Sequence, residues 1–578
     1  MAQSLFSARI MARALAECTP DGERIALARV FCFRLVSAWW SGLDHGNLPL
    51  RPLLQLDTLV TLPEPASAMA DAIGSAAARC EPEAAAYAIG QTYTGMLPAT
   101  YRADRGVYYT PPALTKRLLD QATAAGVDWS CARVLDPACG GGAFLAPVAR
   151  RMLAALPNVT PAILVKNIAA RLRGYEIDPF AAWLSQVTLD AIMLPVCREA
   201  RQTLPVLVTV CDSLLRRPPR ERYDLVIGNP PYGRVTLSPE QRHGFRRSLF
   251  GHANLYGLFT DMALRHARLG GVIAYVTPTS FLAGEYFKNL RALLGREAPP
   301  VTVDMIAIRK GVFEDVLQEA LLATYRRGGT GTPAQVFEVL PDGDRDLQVT
   351  TTGSFSLPAD PSEPWLLPRS EQQAMLIKRL LSMPDRLAEW GYAVSTGPLV
   401  WNRYKSQLHS RSKVGRYPLI WAEAVTADGR FIFRAEKKNH EPYFEPGNGD
   451  DWLITRKPCV LLQRTTAKEQ SRRLIASALP AAFLDEHGAV VIVNHLNMLR
   501  PIVAEPPVSP EVLAVFLNSG AADRAFRCVS GSVAVSAYEL EALPMPSPDD
   551  MDELHRLVHC GAACDQIEAA CSRLYEGE

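Results

Sequence analysis

Val134-Leu135-Asp136-Pro137-Ala138-Cys139-Gly140-Gly141-Gly142-Ala143-Phe144-Leu145 reads as a short buried strand, a glycine turn and the opening of a helix. That layout lets backbone approach a nucleotide-like ligand closely, because glycine has no side chain to hold it off. A dinucleotide loop of the dehydrogenase type is disfavoured, since it needs Gly-x-Gly-x-x-Gly and an acid about 20 residues later. The next acid at the end of a strand-like run is Glu176, in Gly174-Tyr175-Glu176-Ile177-Asp178-Pro179, well beyond that spacing. Outward from this stretch, strand-like and helical runs alternate between residues 101 and 328, which predicts a doubly wound, Rossmann-like α/β sheet. Helices are expected over 113–125, 143–156, 180–194, 255–269 and 285–294. Each polar motif then follows a strand, at the carboxyl edge where open α/β sheets bind ligands.

Tyr223-Asp224-Leu225-Val226-Ile227-Gly228-Asn229-Pro230-Pro231-Tyr232 is a second such strand ending, an apolar run closed by a polar loop that two prolines stiffen. The amide oxygen of Asn229 and the carbonyl of Pro230 can both accept hydrogen bonds from one exocyclic NH2, while Tyr232 offers a face for a planar ring. The set suits methylation of a planar nitrogen. Glu176 can bind two ribose hydroxyls, and Asp212, after Val206-Leu207-Val208-Thr209-Val210-Cys211, can accept from an adenine amino group. Together they describe a site for S-adenosylmethionine.

Taken in this order, the residues resemble the gamma class of DNA adenine N6 methyltransferases, which includes many type II restriction-modification methylases. Arg105-Gly106-Val107-Tyr108-Tyr109-Thr110-Pro111-Pro112 is similar to that family's amino-terminal cofactor motif. Asn254-Leu255-Tyr256-Gly257-Leu258-Phe259, the run from Gly270 to Leu282, and Gly311-Val312-Phe313 follow in the family's order. The likeness covers residues 105 to about 325, with one departure at Gly141, where many members carry Ser. It implies cofactor contacts from Tyr109, Thr110, Asp136, Ala138, Gly140, Glu176, Ile177, Asp212, Asn229 and Phe259, and catalysis by Asn229, Pro230, Pro231 and Tyr232. Tyr232 and Phe313 would stack on the target base.

An adenine amino nitrogen delocalises its lone pair into the ring, so acceptors at Asn229 and Pro230 should pull it towards tetrahedral geometry for direct attack on a methyl sulfonium. The base must first leave the duplex, at a cost of a few kcal/mol. A C5-cytosine methylase would need a nucleophilic Cys in a Pro-Cys loop, and the one such pair, Pro458-Cys459, lies outside any catalytic context. An RNA adenine methylase and a protein glutamine methylase could share Asn-Pro-Pro-Tyr, and a noncatalytic DNA-binding protein could keep the fold. The large basic carboxy-terminal region and Tyr108-Tyr109-Thr110-Pro111 favour double-stranded DNA as partner, with a separate restriction endonuclease or defence subunit as a further one.

The 578 residues, 48% of them hydrophobic, suffice for several domains. Residues 1–100 read as a helical region with seven Arg, nine acids and no Lys, which argues against a nuclease core built on a catalytic lysine. Residues 101–328 are the expected methyltransferase domain, 329–379 a linker region rich in Gly and Pro, 380–545 a mixed α+β target-recognition domain, and 546–578 a carboxy-terminal helix. Within 399–473, 15 Lys or Arg face eight Asp or Glu in a chain whose net charge is +1. Arg403, Lys405, Arg411, Lys413, Arg464, Lys468, Arg472 and Arg473 are candidate phosphate contacts, interleaved with Trp401, Tyr404, Tyr417, Trp421, Phe431 and Phe433. Two weaker likenesses to the family's recognition domain run through Val491 to Asn497 and from Phe516 to Val533. The 12 cysteines are scattered, no signal peptide or membrane-spanning run is read, and a cytoplasmic location is expected. His555, His559, Cys560, Cys564 and Cys571 lack paired Cys-x2-Cys spacing, so an amphipathic helix is preferred there to a zinc site.

Overall fold

A computed structural model describes residues 2–53, 60–105, 109–306, 319–342, 346–434, 440–466, 472–529 and 534–576. The chain divides into two compact units, Met1–Thr279 with Asn289–Thr351, and Ser280–Lys288 with Thr352–Glu578.

The first unit is built on a sheet whose four leading strands are β1 (Val134–Asp136), β2 (Leu172–Glu176), β3 (Val208–Val210) and β4 (Tyr223–Gly228). Reading from one edge, the nine strands are Asp346–Phe355, Ala334–Asp342, Pro300–Ile306, Ala320–Arg326, Ala267–Pro278, β4, β1, β2 and β3. β1 runs parallel to both neighbours, with Val134 opposite Leu172 on one side and Leu225 on the other. The chain therefore lays down β1 to β3 outward, then returns across β1 to place β4. That reversal opens a crevice at the carboxyl ends of β1 and β4, where a doubly wound sheet binds its ligand. Helices cover the sheet, so Leu225, Val226 and Ile227 are all fully buried and the strand reads as an unbroken apolar run.

Helix Pro179–Ala200 shows why apolarity on all sides need not mean a membrane. It is the one helix among the described residues long and apolar enough to cross a bilayer, yet 83% of that stretch is buried inside the fold. Ala182, Leu189, Ile192 and Met193 join the core that includes the sheet, whereas Phe180, Trp183, Leu184 and Val187 join a second core with Phe31, Leu35, Trp39, Ile89 and Tyr93. Those last residues come from Asp21–Ser41 and Pro82–Met96, two of the expected amino-terminal helices. The helical region is thus a layer of the same unit, packed through one shared helix.

The second unit holds a four-stranded antiparallel sheet, Tyr392–Thr396, Leu496–Pro501, Val460–Gln463 and Ala476–Ala478, and a five-stranded sheet of very short strands. Helices Pro510–Leu517, Gly520–Val529, Asp552–His559 and Cys564–Glu576 contribute to one core with Trp390, Phe516 and Tyr575.

Several expectations need correction. Residues 334–342 and 346–355, inside the expected linker, are strands of the nine-stranded sheet, their Gly- and Pro-rich flanks being turns rather than a tether. The helix expected over 255–269 ends at His266, because Ala267–Pro278 continues as a strand beside β4. The carboxy-terminal helix is two helices, broken where Gly561 takes φ of +66°, a conformation that favours glycine. Among the described residues no His, Cys, Asp and Glu gather as a metal site, and Cys571 is a buried core thiol pushed up to about 12 by burial.

Candidate active site

After β1 the chain turns on Gly140, at φ +51°, and its N–H donates to Glu176 Oε2 at 2.9 Å. Glu176 ends β2, and its other oxygen accepts from the N–H groups of Ile177 and Asp178, each at 2.9 Å. Burial pushes this carboxyl above its ordinary range, while the Asp178, Gly140 and Ile177 amides pull the other way. Three of its roughly four acceptor positions are taken by backbone, leaving room for a ligand hydroxyl. Asp212, after β3, accepts from Leu214 N–H at 2.9 Å and so has its side chain held at the same edge of the sheet.

Gly228, the last residue of β4, is a close-approach glycine: a Cβ there would lie 2.7 Å from Asp136 Oδ1. Next along, Asn229 donates from Nδ2 to Thr110 Oγ1 at 3.1 Å and accepts at Oδ1 from the Tyr232 hydroxyl at 2.7 Å. The amide is thereby oriented at both ends. Burial raises the Tyr232 hydroxyl well above its ordinary range, so it remains a donor at neutral pH. Its ring meets Tyr256 edge to face at 6.1 Å between centroids.

These loops enclose a cavity of about 310 Å³, in the range of small-molecule sites. Of the expected cofactor residues, Tyr109, Thr110, Ala138, Gly140, Glu176, Ile177, Asp212, Asn229 and Phe259 line it, as does Pro231. Pro230 is buried and Tyr232 half-buried beside Asn229. Asp136 departs from expectation. It is fully buried and does not line the cavity; one oxygen accepts from Ala138 N–H at 3.1 Å and the other has no partner among the described residues. Burial first, then the neighbouring Glu176 charge, pushes its carboxyl up to about 8. Phe313 lies outside the described residues.

Gly141, the departure noted above, has a local reason. A Cβ at Gly141 would stand 2.1 Å from the Tyr109 hydroxyl, and a Cβ at Gly90, in helix Pro82–Met96, 1.9 Å from its ring. Tyr109 is therefore gripped between the glycine loop and an amino-terminal helix, and serine at 141 would collide with it.

Sequence reasoning missed the surroundings of Asp178. Its Oδ1 accepts from Phe180 N–H at 2.9 Å, capping the long helix, and its Oδ2 from the Tyr93 hydroxyl at 2.8 Å. An Asp-Pro pair before an apolar run is a readable helix start; the distant tyrosine carries no local signal.

In the basic region, Arg403, Lys405, Arg411, Lys413 and Arg472 are exposed, and Lys468 lies outside the described residues. Arg464 is half-buried and donates to the Asn494 carbonyl at 3.3 Å. Arg473 is 1% exposed, so it cannot be a surface phosphate contact. The interleaved aromatics also turn inward: Trp421 is buried with Leu419 and Phe444, with Trp401, Tyr404 and Tyr417 packed against them, and Phe431 and Phe433 lie against a neighbouring core. Gly531, Ser532 and Val533 fall outside the described residues.

A glycine-loop cavity beside an Asn-Pro-Pro-Tyr loop, at the switch point of a doubly wound sheet, defines a methyltransferase. Residues 214–305 match the Eco57I restriction-modification methylase family. It is similar to the type II methyltransferase M.BsuBI of Bacillus subtilis, 24% identical over 79% of this chain and 90% of that one. It is similar also to the type II methyltransferase M.PstI of Providencia stuartii, 28% identical over 59% of this chain and 68% of that one. Among solved structures, the type IIL restriction-modification enzyme MmeI, determined in complex with DNA, shares the fold, with a TM-score of 0.55 at 12% identity over 100% of this chain and 94% of that one. The cofactor of this class is S-adenosylmethionine, and the cavity fits it. Carboxylates at two strand ends can take ribose and amino donors, Phe259 and Ile177 supply apolar walls, and the buried Tyr109 hydroxyl has no partner among the described residues.

Proposed function

We propose that this chain methylates N6 of a flipped-out adenine in duplex DNA, at a specific site, as the modification activity of a restriction-modification or related defence system. The observation that carries this reading is the Asn229 amide, whose nitrogen is held by Thr110 and whose oxygen is held by Tyr232 at the rim of the cavity. A carbonyl oxygen has two lone pairs, so Oδ1 can keep the Tyr232 bond and still accept from an exocyclic amino group. With the Pro230 carbonyl as second acceptor, the loop withdraws both amino protons from the ring plane and frees the nitrogen lone pair. The cofactor supplies an electrophilic methyl group on a sulfonium. The chain's own contribution is positional: Glu176 and Asp212 hold the ribose and adenine ends, Thr110 and Tyr232 orient Asn229, and the Tyr232 ring stacks on the base. Exposed Arg403, Lys405, Arg411, Lys413 and Arg472 supply phosphate contacts in the target-recognition domain. The DNA-bound relative MmeI, whose fold this chain shares, supports duplex DNA as the partner.

Sequencing the genome of a host expressing the protein, with modified bases read directly, tests the reading. One sequence motif with N6-methyladenine is expected; an unmodified genome together with methylated ribosomal RNA or protein glutamine would overturn it.

A further inference from the structure

The carboxylate of Asp178 is 1% exposed and fully engaged. Besides the Phe180 amide, Oδ1 receives Arg29 Nη2 at 3.3 Å, and Oδ2 receives the hydroxyls of Tyr93 at 2.8 Å and Tyr101 at 3.3 Å. The three side-chain donors come from three amino-terminal helices, Asp21–Ser41, Pro82–Met96 and Ala99–Arg105. The backbone N–H of this same Asp178 is one of the donors that hold Glu176 Oε1.

We infer that the amino-terminal helices set cofactor affinity through Asp178: Arg29, Tyr93 and Tyr101 anchor its carboxylate, and the anchored backbone holds Glu176 in its ligand-binding pose. Asp178 itself lines the cavity, whereas Arg29, Tyr93 and Tyr101 do not, so these three are positioning residues that act through it. The inference rests on the reading of Glu176 as a ribose ligand. The geometry gives it direction. If the clamp loosens, residue 178 is free to rotate, its amide leaves Glu176 Oε1, and the carboxylate loses the constraint that faces it into the cavity. Preorganised groups bind better because less freedom is lost on binding. The same link must run backwards, so cofactor binding tightens the amino-terminal layer.

The test uses the full chain, with S-adenosylmethionine binding measured by calorimetry and turnover measured at saturating cofactor. Tyr93→Phe keeps the ring that packs on Phe180, at 4.6 Å between centroids, and deletes only the hydroxyl. It should raise the Kd about tenfold, equivalent to about 1.4 kcal/mol, and leave saturated kcat within about twofold. Arg29→Ala should act in the same direction by about threefold, and Arg29→Lys should restore part of the loss. In a Glu176→Gln background, whose own Kd is raised, Tyr93→Phe should add less than twofold, because both changes act through one carboxylate. Hydrogen exchange in helix Pro82–Met96 should slow when cofactor is added to the wild type and not to Tyr93→Phe. An unchanged Kd in Tyr93→Phe and Arg29→Ala, with Glu176→Gln weakened, would overturn the relay while leaving the ribose reading intact. Full additivity with Glu176→Gln would overturn it too. An unchanged Kd in Glu176→Gln would remove the ribose reading on which the relay depends.

Discussion

The carboxyl edge of the parallel sheet and the basic stretch of 399–473 both carry functional signals in the sequence, and the structure treats them differently. At the sheet edge, motifs spread from Tyr109 to Phe259 converge on one cavity. In the basic stretch, charges and aromatics adjacent in sequence disperse: Arg472 is exposed, its neighbour Arg473 is 1% exposed, and Trp421 is a core residue. The difference is one of constraint. A residue just past the end of a parallel strand is placed by the sheet, whatever the intervening length of chain. A run of charges constrains nothing about which side chain turns outward.

The largest effect should come from the loop after β4. Asn229→Ala removes an acceptor whose role grows in the transition state, so saturated turnover should fall about 10²–10³-fold while cofactor Kd moves little. Steady-state kinetics with calorimetry separates the two, and equal losses in both would reduce Asn229 to a structural residue. Next is the contrast within the arginine pair. Arg473→Glu places a carboxylate at a buried site and should cost about 3–5 kcal/mol of stability, seen as a lowered Tm. Arg472→Glu should fold normally, weaken binding to matched and mismatched DNA alike, and flatten its salt dependence. Similar melting of both variants would show that burial does not separate the two arginines.

A smaller effect belongs to Asp136. Its folded carboxyl keeps a proton up to about pH 8, whereas an unfolded one releases it near 4. The folded state therefore holds the extra proton across that window, and this contribution to stability is full below about pH 4 and lost as pH rises through about 8. Asp136→Asn should melt several degrees above the wild type at pH 9, with the gap closing towards pH 4. A constant gap would show that Asp136 does not titrate as its burial implies. Smallest is the glycine loop: Gly141→Ser should weaken cofactor binding several-fold through its collision with Tyr109, and Tyr109→Ala should relieve that collision.

Much of the cavity was legible in the sequence because Glu176, Asp212 and Asn229 each follow an apolar run that reads as a strand, and β2, β3 and β4 do end there. Asp136 misled because its place in the motif says nothing of depth; it lies beneath the cavity, close against Gly228. The Asp178 clamp was invisible because its partners lie 77 to 149 residues away. Strand Ala334–Asp342 was hidden by the turn residues around it, since Gly328-Gly329 and Pro333 read alike as tether or as tight connection.

The identity of the methylated atom separates adenine N6 from every other acceptor. Purified full-length protein, incubated with duplex DNA and methyl-labelled S-adenosylmethionine and then digested to nucleosides, should yield label in N6-methyldeoxyadenosine alone. Label in a methylated cytosine, or in RNA or protein offered alongside while the DNA stays unlabelled, would contradict the account.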